Sequence, residues 1–248
     1  MKKILMGITC IVALFMSSCA DESTEGVSRV TNFPVITING ESLQFVEIGE
    51  TYTDAGAVSM VGETEIETVT TYVDGLYTGS AGVDTSSPDK YFVQYEAVNE
   101  DGFSGSALRT VWVVPPTGDL VTGISGLYTC SVQRAPAFTP TAQYNDLEYV
   151  AIWETSPGTF QITHAIGGYY DLGRGYGPAY SAGGMEIIAN DIPSNDFSST
   201  TAFIPGFGLT VTQLSEIMVN PVDKMVTFTA NGAWGNGDFK VQLTQVQL

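Results

Sequence analysis

Tyr91-Phe92-Val93-Gln94-Tyr95-Glu96-Ala97-Val98, followed by Asn99-Glu100-Asp101-Gly102, decides the fold class of this chain. Tyr91, Val93 and Tyr95 alternate with Phe92, Gln94 and Glu96, the period of two by which a strand turns one face to a core. Asp101-Gly102 is a turn signal, and it reverses the chain into a second strand that carries Val111 and Val113.

The same grammar runs outward in both directions. Upstream, strands are expected near Val35–Ile38, Leu43–Ile48, Ala57–Val61 and Ile66–Val73, and after the turn near Ser106–Val114. They are rich in Val, Ile, Thr, Tyr and Phe, which suit a half-buried pleated surface. Asn39-Gly40, Ile48-Gly49 and Asp74-Gly75 punctuate them. Downstream, Pro115-Pro116-Thr117-Gly118 ends the run, because proline offers no N–H to a ladder and stiffens the connection. A new set begins at Ile124–Tyr128 and continues near Tyr149–Glu154, Thr159–His164, Met185–Ala189, Thr201–Ile204, Glu216–Val219, Met225–Thr229 and Phe239–Val246. The fold class is therefore all-β. Short strands at this spacing in the first half predict an immunoglobulin-like sandwich. The second half predicts an antiparallel β-meander, with barrel and sandwich both open.

The N-terminus has a different character. Lys2 and Lys3 precede an apolar run, Ile4 to Met16, of 13 residues, and Ser17-Ser18 follow. A basic start, an apolar stretch too short to span a bilayer and small residues at a cut describe a secretory signal. Met16-Ser17-Ser18-Cys19 resembles the lipobox of bacterial lipoproteins, with Met16 in place of the usual leucine. That resemblance implies a signal peptide over residues 1–18, acylation of Cys19 and a mature chain held on a membrane by its lipid. An acidic, polar tether over residues 19–32 would follow.

A second resemblance rests on Pro34-Val35-Ile36-Thr37-Ile38-Asn39-Gly40 and on Glu47-Ile48-Gly49-Glu50-Thr51-Tyr52-Thr53-Asp54-Ala55-Gly56-Ala57. With Asp84-Thr85-Ser86, Asp101-Gly102 and Arg109-Thr110-Val111, these look like bacterial Ig-like modules related to HYR domains. The resemblance implies an Ig-like β-sandwich over residues 33–114 with a spacer or scaffold role, a linker at 115–121 and a C-terminal β-domain at 122–248. Lipobox, Asp21-Glu22 directly after it, one such module and one further β-domain together resemble Bacteroidetes-type outer-membrane lipoproteins. Those are commonly encoded beside SusC/SusD-type polysaccharide uptake systems. The resemblance implies an outer-membrane, cell-surface location and capture of a glycan by the C-terminal domain.

Charge narrows the class of ligand. The chain has 27 acidic and nine basic side chains, a formal charge of −18; without Lys2 and Lys3 it is −20. Such a field repels phosphate backbones, so no nucleic-acid partner is expected, whereas a neutral oligo- or polysaccharide meets no such barrier. Cys10 lies in the signal and Cys19 takes lipid, which leaves Cys130 without a disulfide partner. Tyr128, Cys130 and Val132 share one strand face, so Cys130 reads as a small core residue.

The candidate site is the segment from Ala165 to Gly184, with seven glycines, four tyrosines and only two charges. Glycines let backbone approach a ligand closely, and tyrosines offer flat apolar faces with a polar tip. The candidates for glycan contact are Tyr169, Tyr170, Asp171, Arg174, Tyr176 and Tyr180, with Trp234 and Trp153 as further platforms. The competing reading packs these tyrosines onto their own domain and gives Trp153, which alternates with Tyr149 and Ala151, to the core.

Catalytic readings have less to work with. His164 is the only histidine and falls in a strand pattern, as structural histidines do. No spacing pairs two carboxylates, and one histidine with one cysteine makes no zinc set. No catalytic residue, metal or cofactor is expected, and the chain is read as a non-enzyme. The expected function is non-catalytic capture of neutral oligo- or polysaccharide at an outer membrane. The alternatives are a structural or adhesin-like lipoprotein that contacts outer-membrane proteins and, behind it, a glycosidase.

Overall fold

The structure is a computed structural model and describes residues 31–232, 235 and 237–248. Cys19 and Trp234 lie outside the described residues. The chain is all-β: an N-terminal Ig-like sandwich is followed by one antiparallel sheet rolled into a half-barrel.

The sandwich is built from β1 (Val35–Ile38), β2 (Leu43–Glu47), β3 (Ala57–Val61), β4 (Thr64–Ile66), β5 (Val69–Val73), β6 (Asp89–Val98) and β7 (Ser104–Val114). One sheet has the order β1-β3-β4 and the other β2-β7-β6-β5, with β2 and β7 parallel. The continuous strand expected over Ile66–Val73 divides at Glu67-Thr68, so that β4 and β5 serve opposite sheets. The Ser59 and Thr68 hydroxyls, 2.7 Å apart, fix that crossing. Tyr91, Val93, Tyr95, Val111 and Val113 form the core, as their alternation dictates.

In the middle of that core lies Arg109, whose side chain is fully buried. It pairs with the Asp54 carboxylate and donates to the carbonyls of Glu41 (3.2 Å) and Asn39 (2.5 Å). Tyr95 donates its hydroxyl to the same carboxylate at 2.6 Å. Asp54 and Arg109 stand in the two segments that resemble Ig-like modules, and their pairing joins the start of the module to its last strand.

The second sheet holds β8 (Gly126–Arg134), β9 (Leu147–Ser156), β10 (Thr159–Ile162), β11 (Met185–Asp191), β12 (Asp196–Ser199), β13 (Ala202–Ile204), β14 (Leu209–Asn220), β15 (Met225–Gly232) and β16 (Phe239–Gln245). Its order is β12-β11-β10-β9-β8-β16-β15-β14-β13, so the last long strand inserts beside the first. The ends curl toward each other: Leu214 N–H donates to Ser199 Oγ at 2.8 Å and Val219 N–H to Asn195 Oδ1 at 2.7 Å. β14 is far longer than its apolar pattern suggests. A bulge between Ser215 and Met218, with Glu216 at φ 55°, breaks the alternation midway.

Parts of β7, β8 and β9 are buried on both faces. On β9, Val150 and Ile152 point into the half-barrel, whereas Tyr149 and Ala151 point at the Ig-like module. On β7, Val111 and Val113 belong to the sandwich core, and Trp112 and Val114 meet Leu127, Tyr149 and Ala151 across the domain junction. Tyr149 packs edge-on against Trp112 (5.6 Å) and Phe45 (5.8 Å). The short connection joins the same packing, since Leu120 and Ile124 are buried in the half-barrel core. The Ig-like module is thus fastened to its neighbour by an apolar interface.

Cys130 sits on the inner face of β8, fully buried, and burial pushes its thiol well above its usual range. The folded protein is expected to resist iodoacetamide at neutral pH and to take up one equivalent at this position after unfolding in urea. Rapid labelling of Cys130 in the native protein would contradict this packing.

Candidate functional site

The segment between β10 and β11 fills the mouth of the half-barrel. Gly167 (φ 62°) lies so close to the sheet that a Cβ there would stand 2.6 Å from Val132 Cγ2 and 2.7 Å from Cys130 Sγ. Glycine at this position therefore allows the loop to lie on the sheet's inner face. Ala165, Ile166, Tyr169, Tyr170 and Ala182 all join the domain's main core.

The candidate residues consequently separate into two groups. Tyr169 and Tyr170 are buried and pack against Phe239 at 5.1 and 5.9 Å. Tyr144 stacks on Tyr169 at 4.1 Å, closing its outer face. Burial pushes the Tyr169 phenol up, but hydrogen bonding by Tyr144, Arg174 and Arg134 outweighs it and leaves the group lowered. Asp171 is also buried. Its carboxylate takes His164 Nε2 at 2.9 Å, and His164 Nδ1 meets the Thr163 hydroxyl at 2.7 Å. That hydroxyl also accepts Ala151 N–H at 3.0 Å. The imidazole has no exposed surface, and the network is satisfied within the fold. For these three residues the structure favours packing over ligand contact.

Arg174, Tyr176 and Tyr180 form the other group. Arg174 is exposed above the Tyr169 ring, and its Nε donates to Tyr144 Oη at 3.2 Å. Tyr176 is 49% exposed and stacks on Tyr170 at 6.0 Å. Tyr180 is half-buried, edge-on to Tyr176 (5.3 Å) and to Phe207 (4.7 Å). Tyr176, Tyr180 and the exposed Phe207 make a short aromatic row at the rim, with Arg174 beside it.

A second concavity, about 350 Å³, lies where the two domains meet. Thr78, Ser87 and Pro88 of the Ig-like module form one wall; Trp153, Gln161 and Phe203 belong to the other. Trp153 and Gln161 are register partners on β9 and β10. Trp153 continues the Tyr149-Ala151 face just past the domain contact, which leaves its ring half-buried rather than in the core. The opposite wall is shaped by Asp89, which is buried and accepts the N–H groups of Tyr77 (2.9 Å) and Thr78 (2.8 Å) and the Thr78 hydroxyl (2.5 Å). The turn so fixed carries Tyr77 across the junction, edge-on to His164 at 5.2 Å. Burial and the nearby Asp171 push the Tyr77 phenol up. Tyr77, Asp89, Gln161 and Phe203 were not singled out by the sequence pattern. The signal that locates this face is the unbroken apolar run Val111-Trp112-Val113-Val114, which marks a strand covered on both sides.

A larger hollow of about 530 Å³ on the outer face of the half-barrel has Glu216 and Lys240 in its lining, and its only ring, Phe228, is buried. It lacks the exposed aromatic surface of the other two regions. Among the described residues no group of three or more His, Cys, Asp or Glu side chains is placed to hold a metal ion. No described helix is long and apolar enough to cross a membrane.

These features define a two-domain, all-β protein in which an Ig-like module is packed on a half-barrel. The bacterial surface protein Ig-like domain model matches residues 36–113. A family model for a C-terminal domain matches residues 117–245, 129 of the 248, and the chain belongs to the family that this model defines. A lipoprotein of Bacteroides thetaiotaomicron, known from its crystal structure, is similar at 25% identity and a TM-score of 0.59. The match covers 86% of this chain and all of that one. A catalytic domain with two accompanying modules from Clostridium perfringens matches at 9% identity over 88% of this chain and 22% of that one, with a TM-score of 0.28. No curated protein matches the chain.

Proposed function

We propose that this chain is a surface-exposed lipoprotein, anchored through Cys19, that captures neutral oligo- or polysaccharide without chemistry and serves a SusC/SusD-type uptake system. Similarity to a Bacteroides lipoprotein supports the anchor, together with the lipobox-like Met16-Ser17-Ser18-Cys19. The observation that carries glycan capture is the rim row of Tyr176, Tyr180 and Phe207 with Arg174 at its end. Phenol and phenyl faces accept the C–H faces of a sugar ring, and Arg174 donates to its hydroxyls. The formal charge of −18 favours an uncharged ligand.

Affinity electrophoresis of the chain from Ala20 onward, through gels containing one neutral polysaccharide each, tests the reading. Retardation in at least one gel is expected, with Arg174→Ala and Tyr176→Ala each reducing it. No retardation in any gel, or unchanged retardation of both variants, would reject the rim as a glycan contact. Trp234, outside the described residues, enters as a third variant, Trp234→Ala, on the expectation that it also weakens retention.

A further inference from the structure

We infer that the cleft between the two domains is a separate binding site, built jointly by the Ig-like module and the half-barrel, for one or two residues of an uncharged saccharide. The inference takes its ligand class from the glycan reading above but places the ligand away from the rim. Three observations carry it.

First, the wall chemistry is selective. None of the 13 residues lining the cleft is charged, although 36 of the 248 residues in the chain are. A charged ligand would find no counter-ion there, whereas a polyol needs none. The volume of about 350 Å³ lies within the usual range for small-molecule sites.

Second, four polar groups along the cleft are uncommitted. Among the described residues, no hydrogen bond engages the Gln161 amide, the Ser87 hydroxyl, the Ser181 hydroxyl or Trp153 Nε1, and all four residues line the cleft. Two other lining side chains are tied down, Thr163 to His164 and Ala151, and Thr78 to Asp89. A saccharide presents hydroxyls that both donate and accept, which matches an amide and two hydroxyls better than an apolar ligand would. The exposed Phe203 and the half-buried Trp153 add ring surface for the sugar's C–H face.

Third, the cleft is held in shape before any ligand arrives. Asp89 accepts three donors from the Tyr77-Thr78 turn, and the Trp112-Tyr149-Phe45 contacts fix the two domains against each other just behind it. Walls fixed in advance lower the ordering cost of binding. Recruitment of the Ig-like module into a binding wall also accounts for its interface with the half-barrel, which a free spacer would not need.

The test is titration of the chain from Ala20 onward with a panel of neutral gluco-, xylo-, manno- and galacto-oligosaccharides, followed by tryptophan fluorescence and calorimetry. Oligogalacturonate is the charged control. At least one neutral oligosaccharide is expected to bind and shift the emission. Trp153→Ala is expected to weaken it by about tenfold or more, and Gln161→Leu by about three- to tenfold, with unchanged thermal unfolding for Gln161→Leu. Rim variants Arg174→Ala and Tyr176→Ala serve as the comparison. Binding to wild type that is unaffected by Trp153→Ala and Gln161→Leu, yet lost in the rim variants, would overturn the cleft and leave glycan capture standing. Failure of every neutral oligosaccharide would overturn both, and binding of oligogalacturonate alone would overturn the uncharged ligand class.

Discussion

Asp54→Ala is expected to destabilise the Ig-like module by about 3–5 kcal/mol, the usual result of stripping one partner from a buried ion pair. Arg109 has no exposed side-chain surface and depends on Asp54 for its counter-charge. The carbonyls of Glu41 and Asn39 would remain, and the Tyr95 ring at 5.6 Å offers some compensation, but none carries a negative charge. Tyr95 would in addition lose the acceptor it now meets at 2.6 Å. Against a typical domain stability of about 5–15 kcal/mol, that loss puts the module near its threshold. Urea unfolding followed by tryptophan emission and far-UV circular dichroism would measure it. The double variant Asp54→Ala, Arg109→Met should regain much of the loss, because the uncompensated charge has gone. A loss under about 1 kcal/mol in the single variant would mean that water reaches the guanidinium, contrary to its burial.

Tyr170→Ala should likewise cost about 3–5 kcal/mol, as large-to-small changes at buried aromatics do. Its ring is 8% exposed and touches Tyr169, Phe207 and Phe239 at centroid distances of 5.0, 4.7 and 5.9 Å. Tyr176→Ala, six residues away in the same loop, should change stability by no more than about 0.5 kcal/mol, since half of its ring already faces solvent. Parallel thermal melts of the two variants decide the matter. Equal melting temperatures would show that the loop does not plug the half-barrel. The contrast also bears on ligand assays: lost glycan binding in a Tyr170 variant would report unfolding as readily as lost contact, whereas Arg174 and Tyr176 report contact.

Much of the strand content was legible because a strand's period of two is written locally. Val35–Ile38 and Ala57–Val61 are observed with the bounds that their alternation gives. The errors have local causes too. Glu67-Thr68 splits one expected strand because a sandwich must pass chain from sheet to sheet, and composition does not mark the corner. β12, Asp-Phe-Ser-Ser, is polar enough to read as loop and pairs only because β11 offers it an edge. The bulge at Glu216 hides the length of β14 by shifting its apolar residues to the wrong phase.

The candidate loop was recognisable as unusual, but its composition serves two physical purposes equally well. Glycine tolerates close approach by a ligand or by a sheet, and for Gly167 the neighbours are Val132 and Cys130. Tyrosine stacks on a sugar or on another tyrosine, and for Tyr169 the partner is Tyr144. Nothing within one segment distinguishes these cases.

By itself, the sequence determined the all-β class, the Ig-like module and the lipobox-like N-terminus, because each depends on local period or motif. Only the tertiary structure decided which rings face water, that Arg109 meets Asp54 across 55 residues, and that Trp153 stands opposite Thr78 and Ser87 in a cleft. Those outcomes depend on which surfaces meet when distant strands pack, and burial at a contact is a property of both partners.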